Sequence, residues 1–118
     1  MDDQRHCRLR VHGNDLDLTG PAASLRALAA VLRGAGDTLE IPIRNAAVFQ
    51  QHAPGPLAIE LRGSPTLHLS GTPDELSAVW SALESVAEAT DTGTEDSPHR
   101  HVGRLVVTGE RPARDDVL

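Results

Sequence analysis

Acidic, basic and histidine side chains alternate with leucine along several short segments, and these polar residues are the ones best suited to chemistry. The period of two that a β-strand imposes puts such polar side chains on one face of a sheet and the leucines on the other. The polar set comprises Arg8, Arg10, His12, Asp15, Asp17, Glu40, Glu60, Arg62 and His68. It predicts an open, charged sheet face that is either a binding surface or a solvated face with cross-strand ion pairs.

A catalytic role for part of this face is a second hypothesis. Asp17 and His68 occupy matching positions in two similar stretches of the chain, and a carboxylate beside an imidazole can perform general acid–base chemistry. Arg10 and His12 are expected opposite the aspartates, where they would hold the carboxylates ionised. Since no nucleophile accompanies the pair, Asp17 and His68 stand only as candidates.

A metal site is a third hypothesis. His99 and His101 are two residues apart, which lets both imidazoles share one face of a strand, and His6 or Cys7 could join them. The sequence has no second ligand pair at a spacing typical of zinc fingers. Cys7 falls at an apolar, inward position and is expected as a small buried residue rather than a nucleophile. No glycine-rich phosphate motif is present, and we predict no cofactor.

Length and composition limit the class of protein. The chain has 118 residues, a formal net charge of −6 and one cysteine, which suits a single domain without an internal disulfide. No stretch approaches the roughly 20 apolar residues that cross a bilayer, and the first residues lack the apolar run of a signal peptide. We therefore expect a cytoplasmic protein without a membrane partner. The acidic balance argues against general nucleic-acid binding and suits a basic protein partner.

An internal repeat predicts the elements that position these residues. Leu16-Asp17-Leu18-Thr19-Gly20 returns 51 residues later as Leu67-His68-Leu69-Ser70-Gly71. Each copy begins with a hairpin, which turns at Gly13-Asn14 (type II′) in the first copy and at residues 63–65 in the second. The resulting registers set His12 opposite Asp15, Val11 opposite Leu16, Arg10 opposite Asp17 and Leu9 opposite Leu18, and then Arg62 opposite Thr66, Leu61 opposite Leu67, Glu60 opposite His68 and Ile59 opposite Leu69.

An amphipathic helix follows each hairpin. The first is predicted from about Pro21 to Arg33, and the second begins at the capping box Thr72-Pro73-Asp74-Glu75 with Trp80 on its apolar stripe. Third strands are predicted at Thr38 to Ile43 and at about Val102 to Thr108. The predicted fold class is α+β: a tandem duplication of a β-β-α-β unit that forms a mainly antiparallel six-stranded sheet with two helices on one face.

The boundaries of this domain follow from the same repeat. We predict a single domain at residues 1–110 and a flexible tail at 111–118. Repeat one covers about 6–43, and repeat two covers about 56–108. Arg44 to Pro56 reads as a linker in which Val48 and Phe49 plug the seam between the repeats. Thr90 to Pro98 is acidic and polar and is predicted to be a mobile loop.

The residues of the repeat also carry a family resemblance. The pattern Leu-x-Leu-x-Gly-x-x-x-x-Leu before an alanine- and leucine-rich helix, at Leu16 to Leu32 and at Leu67 to Leu83, resembles the immunity protein 32 family of bacterial polymorphic-toxin systems. His99-Arg100-His101-Val102 is similar to a late His-x-His strand of that family. The resemblance implies a small cytoplasmic protein that binds and neutralises a cognate toxin and needs no catalytic site.

Three interpretations of function stay open. The first is an immunity-type protein that contacts a toxin through the open sheet face and the acidic loop. The second is a small enzyme or accessory subunit, for instance from a biosynthetic cluster, that uses Asp17, His68 or the late histidines. The third is a homodimeric structural module that pairs sheet faces or edges.

Overall fold

The computed structural model describes residues 3–63, 65–93 and 95–110, so the predicted tail at 111–118 lies outside the described residues. After a 3₁₀ turn at Asp3–His6, the elements are β1 (Arg8–His12), β2 (Asp15–Gly20), α1 (Ala22–Arg33), β3 (Thr38–Pro42), β4 (Ala47–His52), β5 (Ala58–Arg62), β6 (Thr66–Gly71), α2 (Pro73–Thr92), β7 (His99–Val102) and β8 (Leu105–Gly109). The α+β class is confirmed. Each half has the order β-β-α-β-β, one strand more than the predicted β-β-α-β unit.

The strands form two four-stranded sheets, and the predicted single six-stranded sheet is wrong. Sheet A has the order β1-β2-β8-β7, and sheet B has the order β3-β4-β6-β5. In each sheet a central parallel pair, β2–β8 or β4–β6, is flanked by antiparallel hairpins. Each sheet therefore combines the first hairpin of one repeat with the second hairpin of the other. The additional strand in each half makes this exchange feasible, because it completes the second hairpin.

Both predicted hairpin registers are confirmed. Leu9 lies opposite Leu18, and Ile59 lies opposite Leu69. Gly13 has a φ of +60°, whereas no described non-glycine residue has a positive φ. A type II′ turn requires this combination, since only its first central residue has a positive φ.

The linker predicted at residues 44–56 is wrong, because strand β4 occupies Ala47–His52. Val48 is fully buried in the core, while Phe49 lies on the opposite face of the strand and is partly exposed. Gln50 is 1% exposed on the inner face. Its Nε2 donates to the carbonyl of Leu32 at 2.8 Å, and its Oε1 accepts from Nε1 of Trp80 at 2.7 Å. Trp80 thus lies in the core, as predicted, with a polar partner that periodicity does not reveal.

The second helix begins as its capping box predicts and runs further than expected. The Thr72 side chain accepts a hydrogen bond from the Glu75 N–H at 3.2 Å, and Pro73 takes the first helical position. The helix continues to Thr92 and ends at Gly93, which has a φ of +68°. The predicted mobile loop at Thr90–Pro98 is therefore wrong at its start, where Thr90 is buried and hydrogen-bonded to the Val86 carbonyl.

The two helices pack against each other in antiparallel orientation and cover the inner faces of the sheets. Arg26 of α1 pairs with Asp91 near the end of α2, whereas Arg33 pairs with Glu84 at 2.7 Å. The inward leucines of β2 and β6 are buried beneath this helix layer. In the described part of the chain, no helix is long and apolar enough to cross a membrane.

Candidate binding surfaces

The polar residues predicted to share one face lie on the outer faces of two different sheets. Sheet A carries Arg8, Arg10, His12, Asp15 and Asp17, and sheet B carries Glu40, Glu60, Arg62 and His68. The predicted alternation is right, since the intervening leucines of β1, β2 and β6 are buried. The predicted common face is wrong, because the two hairpins belong to separate sheets.

On sheet A, strand register aligns a row across the outer face. The row runs Arg10, Asp17, Val106 and His101 over β1, β2, β8 and β7. Oδ1 of Asp17 accepts hydrogen bonds from the hydroxyls of Thr19 at 2.9 Å and Thr108 at 3.0 Å. The carboxylate is thus held by neutral donors.

The cross-strand ion pairs expected on this face do not form. Arg10 lies opposite Asp17 and His12 lies opposite Asp15, yet the ion pairs among the described residues include neither couple. Arg8 instead reaches Glu110, with 2.7 Å between Nη2 and Oε2. The Arg10–Asp17 and His12–Asp15 couples are therefore opposite each other in register without forming ion pairs, whereas Arg8 is paired.

The late histidines lie at the edge of sheet A. His99 and His101 make an edge-to-face contact with 5.6 Å between ring centroids, and Nδ1 of His99 lies 2.9 Å from the Ser97 carbonyl oxygen. The described residues contain no group of three or more histidine, cysteine or acidic side chains placed to hold a metal ion. Cys7 and His6 precede β1, which is the opposite edge of the same sheet. The structure therefore does not assemble the metal site that these residues suggested.

Cys7 is fully buried, as predicted. Burial, together with the negative charge of Glu110, raises the pKa of its thiol to about 12. A thiol in this environment stays protonated at neutral pH and is a poor nucleophile.

On sheet B, the corresponding row contains an aromatic pair. It runs Glu40, Phe49, His68 and Glu60 over β3, β4, β6 and β5. The rings of Phe49 and His68 stack with 4.7 Å between centroids and 26° between planes. Sequence reasoning missed Phe49, because the residue was assigned to the linker and the inward Gln50 that follows it hides the period of two of strand β4.

The electrostatics of this row favour a neutral imidazole. Partial burial and the positive charge of Arg62 lower the pKa of His68, and the negative charge of Glu60 opposes that change. Arg62 and Glu60 themselves pair at 2.6 Å between Nη2 and Oε1. Sheet B therefore presents an uncharged aromatic stack at its centre with acidic side chains at both ends of the row.

The structure does not bring the candidate acid–base pair together. Asp17 lies in β2 of sheet A, and His68 lies in β6 of sheet B. An open cleft of about 470 Å³ is lined by Leu57, Ile59, Gly103 and Arg104, and a smaller one of about 300 Å³ is lined by Pro21, Ala22, Ala23, Thr90 and Asp91. Neither cleft contains the two candidates.

The fold and these surfaces define a two-sheet α+β protein with two chemically different outer faces. No protein-family model, curated protein or solved structure matches the chain.

Proposed function

We propose that this chain is an immunity-type binding protein that neutralises a cognate bacterial toxin by direct contact. The observation that carries the proposal is the stacked pair of Phe49 and His68 on the open face of sheet B, flanked by Glu40 and Glu60. Large aromatic side chains at the centre of a polar patch are characteristic energetic anchors of protein interfaces.

The charge of the chain supports a basic partner. Its formal net charge is −6, and carboxylates end the row on both sides of the aromatic pair. Complementary charges accelerate encounter and suppress incorrect partners, whereas the apolar centre supplies affinity. A toxin that cleaves nucleic acid presents the basic surface that such a face would recognise.

The resemblance of the two leucine-glycine-helix segments to the immunity protein 32 family supports the same assignment. An inhibitor that acts by covering its target needs an exposed, rigid surface rather than a catalytic pocket. Both outer faces lie on sheets whose central strands β2 and β6 have fully buried inner leucines, which keeps the surface side chains in fixed register.

Co-expression with the proteins encoded by neighbouring genes tests this proposal. We expect one of them to arrest growth of a bacterial host, and we expect this chain to restore growth and to co-purify with that protein. Phe49→Ala should weaken the complex by about tenfold or more, as loss of an aromatic anchor does. Val106→Ala, at the matched position of sheet A, is the control and should bind nearly as well as the native chain. The absence of both rescue and complex formation with every neighbour would refute the function.

A further inference from the structure

In the first half of the chain, the turn between β3 and β4 packs on edge strand β1. We call this junction between an edge strand of one sheet and a hairpin turn of the other sheet a seam, and in the first half the turn closes it. The N–H of Arg44 donates to the carbonyl of Cys7 at 2.9 Å. The carboxamide of Asn45 accepts from the N–H of Leu9 at 2.9 Å and donates to the carbonyl of Leu9 at 2.8 Å. Asn45 thus hydrogen-bonds to both backbone groups of Leu9 at the edge of β1. A residue of an additional strand paired with β1 would form the same two bonds.

The matching seam in the second half is open. Leu57 and Ile59 are the repeat counterparts, 50 residues on, of Cys7 and Leu9, the two residues that bond to the β3–β4 turn in the first seam. The β7–β8 connection consists of Gly103 and Arg104 alone, whereas the β3–β4 connection spans residues 43–46. The shorter turn carries no counterpart of Asn45, and these four residues of the second half line the cleft of about 470 Å³.

Ile59 presents the same backbone groups along this edge that Leu9 presents to Asn45. Both residues lie at the fourth position before their hairpin turn, in pairs opposite Leu69 and Leu18 respectively. Residue pairs in antiparallel strands alternate between mutual hydrogen bonding and outward-pointing backbone groups. The N–H and C=O of Ile59 therefore point away from β6, on the outer edge of sheet B.

We infer that this open seam is the docking site for an extended peptide segment of the partner protein, which adds to β5 as Asn45 adds to β1. Half-buried Leu57 and Ile59 supply the apolar floor for one of its side chains, and the exposed guanidinium of Arg104 favours an acidic residue beside it. The cleft adjoins the proposed contact face, since Glu60 follows Ile59. Only the identity of the partner rests on the proposed function.

A peptide that copies the closed seam tests the inference without a toxin. The probe is acetylated and amidated Ile-Pro-Ile-Glu-Asn-Ala-Ala-Val, which is the sequence of residues 41–48 with the change Arg44→Glu to suit Arg104, and its binding is followed by amide chemical shifts of the isotope-labelled chain. We expect shifts at Ile59, Gly103 and Arg104 that saturate with a Kd of about 1 mM or lower. A peptide with alanine in place of the asparagine should bind about fivefold more weakly. No saturable shifts at these residues, or shifts centred on the outer sheet faces, would overturn the inference.

Two glycine variants give a matched test of the location. Gly103 has a φ of +58°, which asparagine tolerates better than other residues, and a Cβ there would lie 3.8 Å from Cδ1 of Ile59. Gly103→Asn should therefore fill the cleft and reduce peptide binding about tenfold or more. Gly13→Asn is the control, because Gly13 has a φ of +60° and open space around its Cβ. Equal peptide binding by both variants would contradict the assigned site.

Further measurements separate this inference from the proposed function. Toxin rescue without peptide binding would overturn only the docking site, and peptide binding without rescue would overturn only the toxin-neutralising role. Light scattering identifies a competing occupant: a concentration-dependent dimer that Gly103→Asn dissociates would assign the seam to a second copy and refute the inference.

Discussion

Sheets A and B share their strand order and their buried leucines, but their outer faces differ in chemistry at every matched position of the central row. Leu16 and Leu67 are both fully buried at corresponding positions of β2 and β6. The outer row reads His101, Val106, Asp17 and Arg10 in sheet A, and Glu40, Phe49, His68 and Glu60 in sheet B. Packing constrains the inner residues of both copies, whereas the outer residues are free to diverge towards different contacts.

One inner position also differs between the sheets. Gln50 of β4 lies beside Leu69 in the parallel pair, and its counterpart Val107 of β8 lies beside Leu18. The repeat also places Ala29 of α1 where α2 has Trp80, 51 residues on. A buried indole N–H needs an acceptor, and Gln50 supplies it. The core beneath sheet B therefore contains a polar link that the core beneath sheet A does not need.

Gln50→Val introduces the residue that sheet A has at the matched position, and it should cause the largest loss of stability among the variants that test the difference between the two sheets. Gln50→Val leaves the Trp80 N–H without its acceptor in the core and should lower the free energy of unfolding by about 2–3 kcal/mol. Chemical denaturation measures the change. Gln51→Val alters the exposed neighbour and should change stability by less than about 0.5 kcal/mol. If Gln50→Val lowers the free energy of unfolding by less than about 1 kcal/mol, the hydrogen bond to Trp80 does not distinguish the core beneath sheet B from the core beneath sheet A.

Opening the first seam should have an intermediate effect. Asn45→Ala removes both hydrogen bonds to Leu9 and should cost about 1–2 kcal/mol of unfolding free energy. Arg44→Ala keeps its backbone bond to Cys7 and should cost less than about 0.5 kcal/mol. Hydrogen exchange at the Leu9 amide should accelerate only in Asn45→Ala. Unchanged exchange would show that the turn does not protect this edge, and the contrast between closed and open seams would fail.

Local sequence signals predicted the hairpins and the helix starts because their determinants are local. Gly13 supplies the positive φ of the first turn, and Thr72 with Glu75 caps α2. Strand β4 was missed because Gln50 interrupts the apolar alternation. A glutamine is tolerated at this inward position because it accepts a hydrogen bond from Trp80, which is distant in sequence. Strand β7, with the sequence His-Arg-His-Val, offers little apolar periodicity and was suggested only by the family resemblance. The single strand predicted at about Val102 to Thr108 is wrong, because the turn at residues 103–104 divides that segment between β7 and β8.

The candidate surfaces were predicted in composition but not in arrangement. Alternation correctly placed Asp17 and His68 outside, yet their separation depends on which distant hairpins pair. The exchange of hairpins between repeats is a choice between two pairings of similar strands, and local propensity does not distinguish them. The stack of Phe49 on His68 exists only in the observed pairing, since β4 and β6 come from different repeats.

Protonation of His68 offers a pH test of the difference between the faces. Burial and Arg62 lower the pKa of His68 below its ordinary value of 6.5, so the folded chain binds fewer protons than the unfolded chain just below that pH. The stability contributed by the neutral imidazole should therefore be present above pH 6.5 and be lost as the pH falls through the folded pKa. Titration of the His68 ring by NMR measures the shift.

Variants of the two neighbouring charged residues identify the cause of the lowered pKa of His68. Arg62→Gln should raise the pKa of His68 because it removes a positive charge, and Glu60→Gln should lower it. A His68 pKa at or above the ordinary value, or the same response to both variants, would contradict this electrostatic account.

The exposed hairpin ends should give the smallest effects on stability and the most direct functional contrast. Val11 is 51% exposed and its repeat counterpart Leu61 is 38% exposed, because the helix layer does not cover the distal parts of β1 and β5. Val11→Thr and Leu61→Thr should each change the unfolding free energy by less than about 0.5 kcal/mol, since threonine suits an exposed strand. Only Leu61→Thr should weaken binding of the 41–48 peptide, because Leu61 shares strand β5 with the open seam. Equal peptide affinity in both variants would show that docking does not extend beyond Ile59 along that strand.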